Sequence, residues 1–308
     1  MSGKVVVVGS SNTDMIIKLD RLPQPGETVL GGEFATAAGG KGANQAVAAA
    51  RAGGDVTFIA RVGDDMFGRL AVEGLEADGI DVSHVVVDPS AHSGVALIFV
   101  DRIGENTIAV ASGANARLTA ADVRAAENAI RSADILVTQL ETPIETVRAA
   151  VELAAHHGVP VILNPAPART LDEALLHQVS VLTPNETEAA MLTDLAVASK
   201  ADAERAAQKL AAMGVARVIV TLGARGAFVL DADHQELVPG FPVEAVDTTA
   251  AGDVFNGALA VTLADGADLG DAVRFANAAA ALSVTRLGAQ PSAPMRGEIE
   301  AFLRRGDC

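Results

Sequence analysis

The chain of 308 residues has no tryptophan, no tyrosine, a single cysteine, and fewer basic than acidic side chains. Each shortage excludes something. One cysteine, Cys308, can form neither an intramolecular disulfide nor a thiolate metal cluster, which fits a reducing compartment. With 23 Lys and Arg against 39 Asp and Glu, the formal charge is −16, so no general phosphate-backbone binder is expected and nucleic acid is not a partner. No stretch reaches membrane-spanning length. The valines at 5–8 make too short an apolar run for a signal peptide and read as a first buried strand. The expectation is a cytoplasmic protein without a membrane partner.

Half the residues are apolar, mostly Ala and Val, enough for a sizeable core of closely packed helices and strands. No repeat, low-complexity tract or Pro/Ser-rich linker divides the chain, so residues 1–308 read as one α/β unit. From about residue 115 the pattern alternates. Strands are expected at 134–140, 159–164, 179–183 and 217–221, with helices opening at 119–122 and 142–143 and covering 202–213, 271–284 and 295–304. Such alternation implies a three-layer α/β/α sandwich with a mostly parallel central sheet, whose ligands collect beyond the carboxyl ends of the strands. Two segments break the rhythm. Residues 14–19 with 27–30, and 94–100 turning at 102–105 into 107–110, read as antiparallel strands. They suggest a small sheet inserted at about 13–36 and 93–111, a lid whose apolar face invites a second subunit.

Asp247-Thr248-Thr249-Ala250-Ala251-Gly252-Asp253 joins a strand-like run to a helix through small residues and sets a carboxylate on the first turn. Unpaired N–H groups and a positive dipole end there suit a phosphate in transit. Asp253 beside it could take the proton of an attacking hydroxyl, although Asp near a helix start more often serves as a cap. Gly39-Gly40-Lys41-Gly42-Ala43-Asn44 lacks the Ser or Thr of a Walker loop, and the third glycine of a dinucleotide fingerprint would fall at Gln45. Its glycines admit close backbone approach to a small polar ligand, with Lys41 and Asn44 free to reach hydroxyls, or simply turn the chain into a helix. Asn185-Glu186-Thr187-Glu188 has capping-box spacing and also suits a Glu ordering a metal-bound water. Thr221-Leu222-Gly223-Ala224-Arg225-Gly226 is a strand end running into a glycine turn across which a nucleotide could lie. The six histidines show no metal-ligand spacing.

Taken with Ser11-Asn12-Thr13-Asp14, Asn164-Pro165-Ala166-Pro167-Ala168-Arg169 and residues 285–292, these motifs stand in an order that resembles the ribokinase family of carbohydrate kinases over nearly the whole length. The resemblance implies the sandwich with a β lid that also makes a homodimer. It implies that Asn12, Asp14, Gly40, Lys41, Gly42, Asn44 and Glu141 hold sugar hydroxyls. Asp253 would deprotonate the primary hydroxyl attacking the γ-phosphate, and the N–H groups of Ala250, Ala251 and Gly252 would stabilise the developing charge. ATP would lie against Asn185, Thr221, Gly223, Gly226, Gly252 and Asn277, with Glu188 holding Mg²⁺ through water. A monovalent cation, K⁺, would activate from Asp247, Thr249, Ser283, Arg286, Gly288 and Ser292, several through carbonyl oxygens.

The leading expectation is therefore ATP-dependent phosphorylation of D-ribose at O5, giving ribose 5-phosphate and ADP. Kinases for deoxyribose, fructose or pseudouridine share most of these residues, but a nucleoside acceptor needs apolar or aromatic cover, and only nine phenylalanines are present. A non-catalytic sugar sensor would have no need of Asp253 and its Ala-Ala-Gly approach. A dehydrogenase falls with the missing fingerprint.

Overall fold

A computed structural model of the chain describes residues 2–103 and 106–306. Val5 to Val8 are all buried, because β1 (Lys4–Val8) lies inside a sheet covered on both faces. Alternate residues point to opposite layers. Val5 and Val7 pack in one apolar cluster with Ala46, Val254, Leu259 and Ala276, while Val6 and Val8 pack in another with Val147 and Leu210. Three layers follow from that alternation, as the sequence predicts.

After β1 the chain runs through β2 (Asn12–Lys18), β3 (Glu33–Gly39), α1 (Lys41–Arg51), β4 (Asp55–Gly63), α2 (Met66–Ala77) and β5 (Asp81–Asp88). Then come β6 (Gly94–Val100), β7 (Asn106–Ala111), α3 (Ala120–Ala125), α4 (Glu127–Ser132), β8 (Ile135–Thr138), α5 (Ile144–His156) and β9 (Val161–Leu163). The rest is α6 (Glu173–Leu176), β10 (Val181–Leu182), α7 (Glu186–Thr193), α8 (Lys200–Ala212), β11 (Val218–Thr221), β12 (Ala227–Leu230), β13 (Gln235–Val238), α9 (Ala251–Ala264), α10 (Leu269–Ser283) and α11 (Arg296–Gly306). Among the described residues the large sheet has the order β13-β12-β11-β10-β9-β8-β1-β4-β5, parallel from β11 to β5 and antiparallel at β12 and β13. The alternation extends back through β4, α2 and β5, a stretch the sequence reading left unassigned.

The second sheet has the order β3-β2-β6-β7. β2 pairs antiparallel with β3 and parallel with β6, and β6 pairs antiparallel with β7. The expected partner of residues 14–19 is wrong. Residues 27–30 form no strand; they lie between Gly26 and the pair Gly31-Gly32, all with positive φ, and the strand begins only at Glu33. The partner is β3, which runs to Gly39 and so past the expected boundary at 36. Of the turn expected at 102–105, Gly104 and Glu105 lie outside the described residues. The strands at 134–140, 159–164 and 179–183 prove shorter than expected at both ends: each begins one or two residues later, and Gln139, Asn164 and Thr183 already stand beyond the ladder, toward the site.

Candidate active site

Asp253 is not a helix cap. The N-cap of α9 is Ala250, in the left-handed conformation (φ 59°) and without a side-chain cap, and the Asp253 carboxylate turns away from its own helix. It is 5 % exposed and accepts from Asn44 Nδ2 at 3.0 Å through Oδ2 and from Gln45 Nε2 at 2.9 Å through Oδ1. Burial pushes its pKa up, against Lys41 and the two amides, which favour the ionised form, while Glu141 adds to the rise. Lys41 is in turn held above its usual value by Asp253 foremost, in spite of burial. The first turn of α9 leaves its N–H groups without partners one turn back, apart from a long bond from Ala251 N to Thr248 O at 3.3 Å. Of the three expected anion-hole donors, Ala251 is thus partly engaged.

The floor and roof of the cleft come from distant segments. Gly40 gives α1 no side-chain cap; Glu141, beyond β8, supplies the anion instead, accepting from Lys41 N at 3.0 Å and Ser10 Oγ at 2.6 Å through Oε2. Asn12, at the start of β2, is fixed by Asn115, whose Nδ2 donates to Asn12 Oδ1 at 2.8 Å and to Ser11 O at 3.0 Å. Asp14, two residues on, lies on the same face of the lid sheet. Burial first, then Glu141 and Asp253, push it up to about 6. Gly39 and Gly94 exist for these two side chains, since a Cβ at Gly39 would press into the Asp14 carboxylate and one at Gly94 into the Asn12 amide. Gly42 packs against Gly9 and Ser10 and is buried, so its small size serves packing and not only ligand approach.

Two cavities meet at the start of α9. One, of about 170 Å³, is lined by Lys41, Asn185, Glu188 and residues 250–253. The other, of about 660 Å³, is lined by Thr221, Gly223, Gly226, Gly252, Asn277 and Val284, among others, with Phe241 and Phe255 in its wall. Asn277 is held by the carbonyls of Val238 and Pro239, both at 3.2 Å. Asn185 and Glu188 do form the capping box of α7: Asn185 Oδ1 accepts from Glu188 N at 2.8 Å and Glu188 Oε2 from Asn185 N at 2.9 Å. The cap uses Oε2 alone, so one carboxylate both caps the helix and lines the cavity. Burial raises the Glu188 pKa, against the Asn185 N–H and Lys41.

A pfkB family carbohydrate kinase model matches residues 2–296. The chain belongs to the pfkB family of carbohydrate kinases. It is 44 % identical over 303 residues to a ribokinase of Haemophilus influenzae, covering 98 % of this chain and 99 % of that protein. It is 39 % identical over 300 residues to a deoxyribokinase of Salmonella typhi, covering 97 % and 98 %. The structure of Arabidopsis thaliana ribokinase complexed with ribose and ATP superposes with a TM-score of 0.92 at 33 % identity, covering 99 % of each chain.

In this pfkB-family kinase the residues expected around a monovalent cation fall into one loop cluster. Asp247 Oδ1 accepts from Thr249 N at 2.9 Å and Oδ2 from Gly288 N at 2.8 Å. Against the upward push of burial, the bonds from Thr249 and Gly288 hold its carboxyl below the usual range. Arg286 N donates to Ser283 O at 3.0 Å, and its guanidinium is paired with Glu298, so only backbone of Arg286 is available to an ion. Ser292 is buried and its hydroxyl donates to Ala289 O at 2.7 Å. No group of three or more His, Cys, Asp or Glu suited to a metal occurs among the described residues. The sequence reading missed the buried amides behind Asp253: Gln45, Gln139, Asn164, Asn256 and the hydroxyl of Thr183. Gln45 and its partners Asn164 and Asp253 are 119 and 208 residues apart, and no local pattern joins them.

Proposed function

We propose that the protein transfers the γ-phosphoryl group of ATP to the O5 hydroxyl of D-ribose, giving ribose 5-phosphate and ADP. The observation that carries this reading is Asp253, a buried carboxylate not spent on capping, held by two amides where the cleft under the lid sheet meets the two cavities. One lone pair on each Asp253 oxygen is left for an incoming hydroxyl. Asp253 takes the proton as O5 attacks phosphorus, the bond from phosphorus to the bridging oxygen breaks, and ADP leaves. The N–H groups at the start of α9 and the Lys41 ammonium face the charge that develops.

Asn44 Oδ1 is buried without a partner, which suits a sugar hydroxyl as donor; Asn12, Asp14, Gly40, Lys41 and Glu141 complete a cleft for a molecule rich in hydroxyls. The 660 Å³ cavity fits a nucleoside, with mostly small apolar walls and Asn277 at one side. Gly252 faces open space where a Cβ would intrude, which suits a phosphate chain on its way to Asp253. Glu188 has a carboxylate oxygen outside its cap for a water of Mg²⁺, and that ion, when bound, neutralises charge on the phosphates. The loops bearing Asp247, Thr249, Ser283, Arg286, Gly288 and Ser292 offer carbonyl oxygens and one carboxylate, a donor set that suits K⁺ rather than a transition metal. A single cysteine and the absence of a long apolar helix among the described residues fit a cytoplasmic enzyme.

The test is coupled ADP release with MgATP and K⁺ across D-ribose, 2-deoxyribose, fructose, adenosine and pseudouridine, with Asp253→Asn as blank. Turnover on ribose is expected, with kcat in the variant lower by about 100- to 10,000-fold and ribose affinity kept within about threefold. Replacing K⁺ by a bulky organic cation is expected to lower the rate without unfolding. The deoxyribokinase relative makes 2-deoxyribose the acceptor to watch; preference for it would move the substrate and keep the mechanism. Sugar binding with no turnover on any acceptor would replace the kinase reading by that of a sensor.

A further inference from the structure

Behind Asp253 lies a chain of buried amides. Gln45, fully buried, donates through Nε2 to Asp253 Oδ1 at 2.9 Å and to Asn164 Oδ1 at 3.1 Å. Its Oε1 accepts from Nε2 of Gln139, itself 1 % exposed, at 2.7 Å. Asn164 Nδ2 donates to Thr183 O at 3.1 Å, Thr183 Oγ1 to Asn256 Oδ1 at 2.7 Å, and Asn256 Nδ2 to Gly252 O at 2.7 Å. The chain leaves α9 at Asp253 and returns to it at Asn256, which reaches back to the carbonyl of the peptide just before Asp253.

The direction of every bond is fixed by the backbone. Thr183 O and Gly252 O can only accept, so Asn164 and Asn256 must turn their NH₂ groups to them. That leaves Asn164 Oδ1 facing Gln45, which must therefore present its own NH₂ group to Asn164 and Asp253. A flipped Gln45 would set Oε1 against two acceptor oxygens and its NH₂ against the NH₂ of Gln139. Gln139 locks the remaining freedom by occupying Oε1. The amide offers its proton donors to the carboxylate, so it favours the ionised form and fixes the plane in which the Asp253 oxygens lie.

We propose that Gln45 is a positioning residue for the phosphoryl transfer, locked by Gln139, that holds Asp253 in the geometry in which it accepts the sugar proton. This inference rests on the reading of Asp253 as general base. Gln45 lies behind the carboxylate and is assigned no bond to sugar or nucleotide, so its loss acts on kcat while sugar binding stays. The sign of the pH effect is set by the same bond. Losing a donor to the charged form raises the Asp253 pKa, so the acid limb of the kcat profile moves to higher pH.

The experiment compares wild type, Asp253→Asn, Gln45→Met and Gln139→Leu in the coupled assay as a function of pH. Ribose affinity by calorimetry and melting temperature are measured alongside. Gln45→Met is expected to lower kcat by about 10- to 100-fold, with ribose Kd within about threefold of wild type and the acid limb displaced upward. Gln139→Leu, one bond further from the base, is expected to show a smaller loss with the same displacement, and it carries the test where Gln45→Met does not fold. Wild-type kcat and pH profile in the variants, or kcat and ribose affinity falling together without displacement of the limb, would overturn the positioning role. If Asp253→Asn abolishes turnover while Gln45→Met does not disturb it, only this inference fails; if wild type turns over no acceptor, the general-base reading fails with it.

Discussion

Asp14 and Asp253 share a cleft with Glu141, and the sugar hydroxyls would arrive between them. In the absence of sugar Asp14 is a cost to the fold. Its pKa, pushed up to about 6 by burial and then by Glu141 and Asp253, stands above the unfolded value of 3.8. Between those values the folded state binds the proton more tightly, so the Asp14 contribution to stability falls as pH rises through the window and is fully adverse above it. Asp14→Asn is expected to melt higher than wild type at about pH 7.5 and to lose that advantage by about pH 4, as scanning calorimetry would show. A constant difference across that range would refute the assignment. The same proton matters to function with opposite sign, because only ionised Asp14 accepts from a sugar hydroxyl with both oxygens. For wild type, kcat/KM for ribose should therefore fall as pH drops below about 6, and Asp14→Asn should lose that step together with about 100-fold in kcat/KM. Both aspartates were legible in the sequence through the motifs that carry them. Gln45 was not: its residue type is unremarkable on a helix, and its partners arrive only through the fold.

At the scale of single elements, α9 shows why a motif can be read and its alternative still needs coordinates. An Asp on a first turn caps helices so often that sequence favours that role, and only the direction of the side chain, toward Asn44 and Gln45, removes it. The lid strands pose the converse case. Alternation located β2, β6 and β7 well, but the apolar pair Val29-Leu30 drew the partner of β2 to the wrong segment, because the positive-φ glycines around it carry no periodic signal. The register then gives the lid two distinct faces. Asn12, Asp14 and Ile16 align with Gly94, Ala96 and Ile98 on one, and Met15 and Ile17 with Leu97, Phe99 and Phe34 on the other. The face bearing Asn12 and Asp14 covers the cleft. The opposite one leaves Phe34 65 % and Leu97 44 % exposed, while Ile108 and Val110 of β7 are exposed on the first, and we propose that this apolar sheet pairs with a second copy of the chain through the face bearing Phe34 and Leu97. Leu97→Asp is expected to shift sedimentation from dimer to monomer; an unchanged oligomer, or a wild type that sediments as a monomer at all concentrations, would remove the lid as the interface.

Across the whole molecule, the central sheet was legible because its strands are continuous apolar runs between amphipathic helices, and the family resemblance extended from residues 11–14 to residues 285–292 for the same reason: motif spacing follows strand order. The ends of β8, β9, β10 and β11 deliver Glu141, Asn164, Thr183 and Thr221 to one line, and β2, β3 and β6 bring the second sheet over it. What spacing could not show is how the two sheets are joined. Asn12 and Asp14 sit on the lid, whereas Asn44, Glu141 and Asp253 sit on the three-layer body, so a sugar bound to both sets bridges them. Ligand that binds only the folded state at about 100 times its Kd adds about 2.7 kcal/mol to stability. D-ribose should therefore raise the melting temperature by about 4 °C, an effect lost in Asp14→Asn. The bridging argument is sharper than the thermal one. Hydrogen exchange with and without ribose should show its largest protection in β2, β3, β6 and β7, since these strands have the fewest buried partners of their own and gain the body as an anchor. Protection confined to α1 and α9, with the lid exchanging as before, would mean that the sugar is held by the body alone and that Asn12 and Asp14 do not reach it.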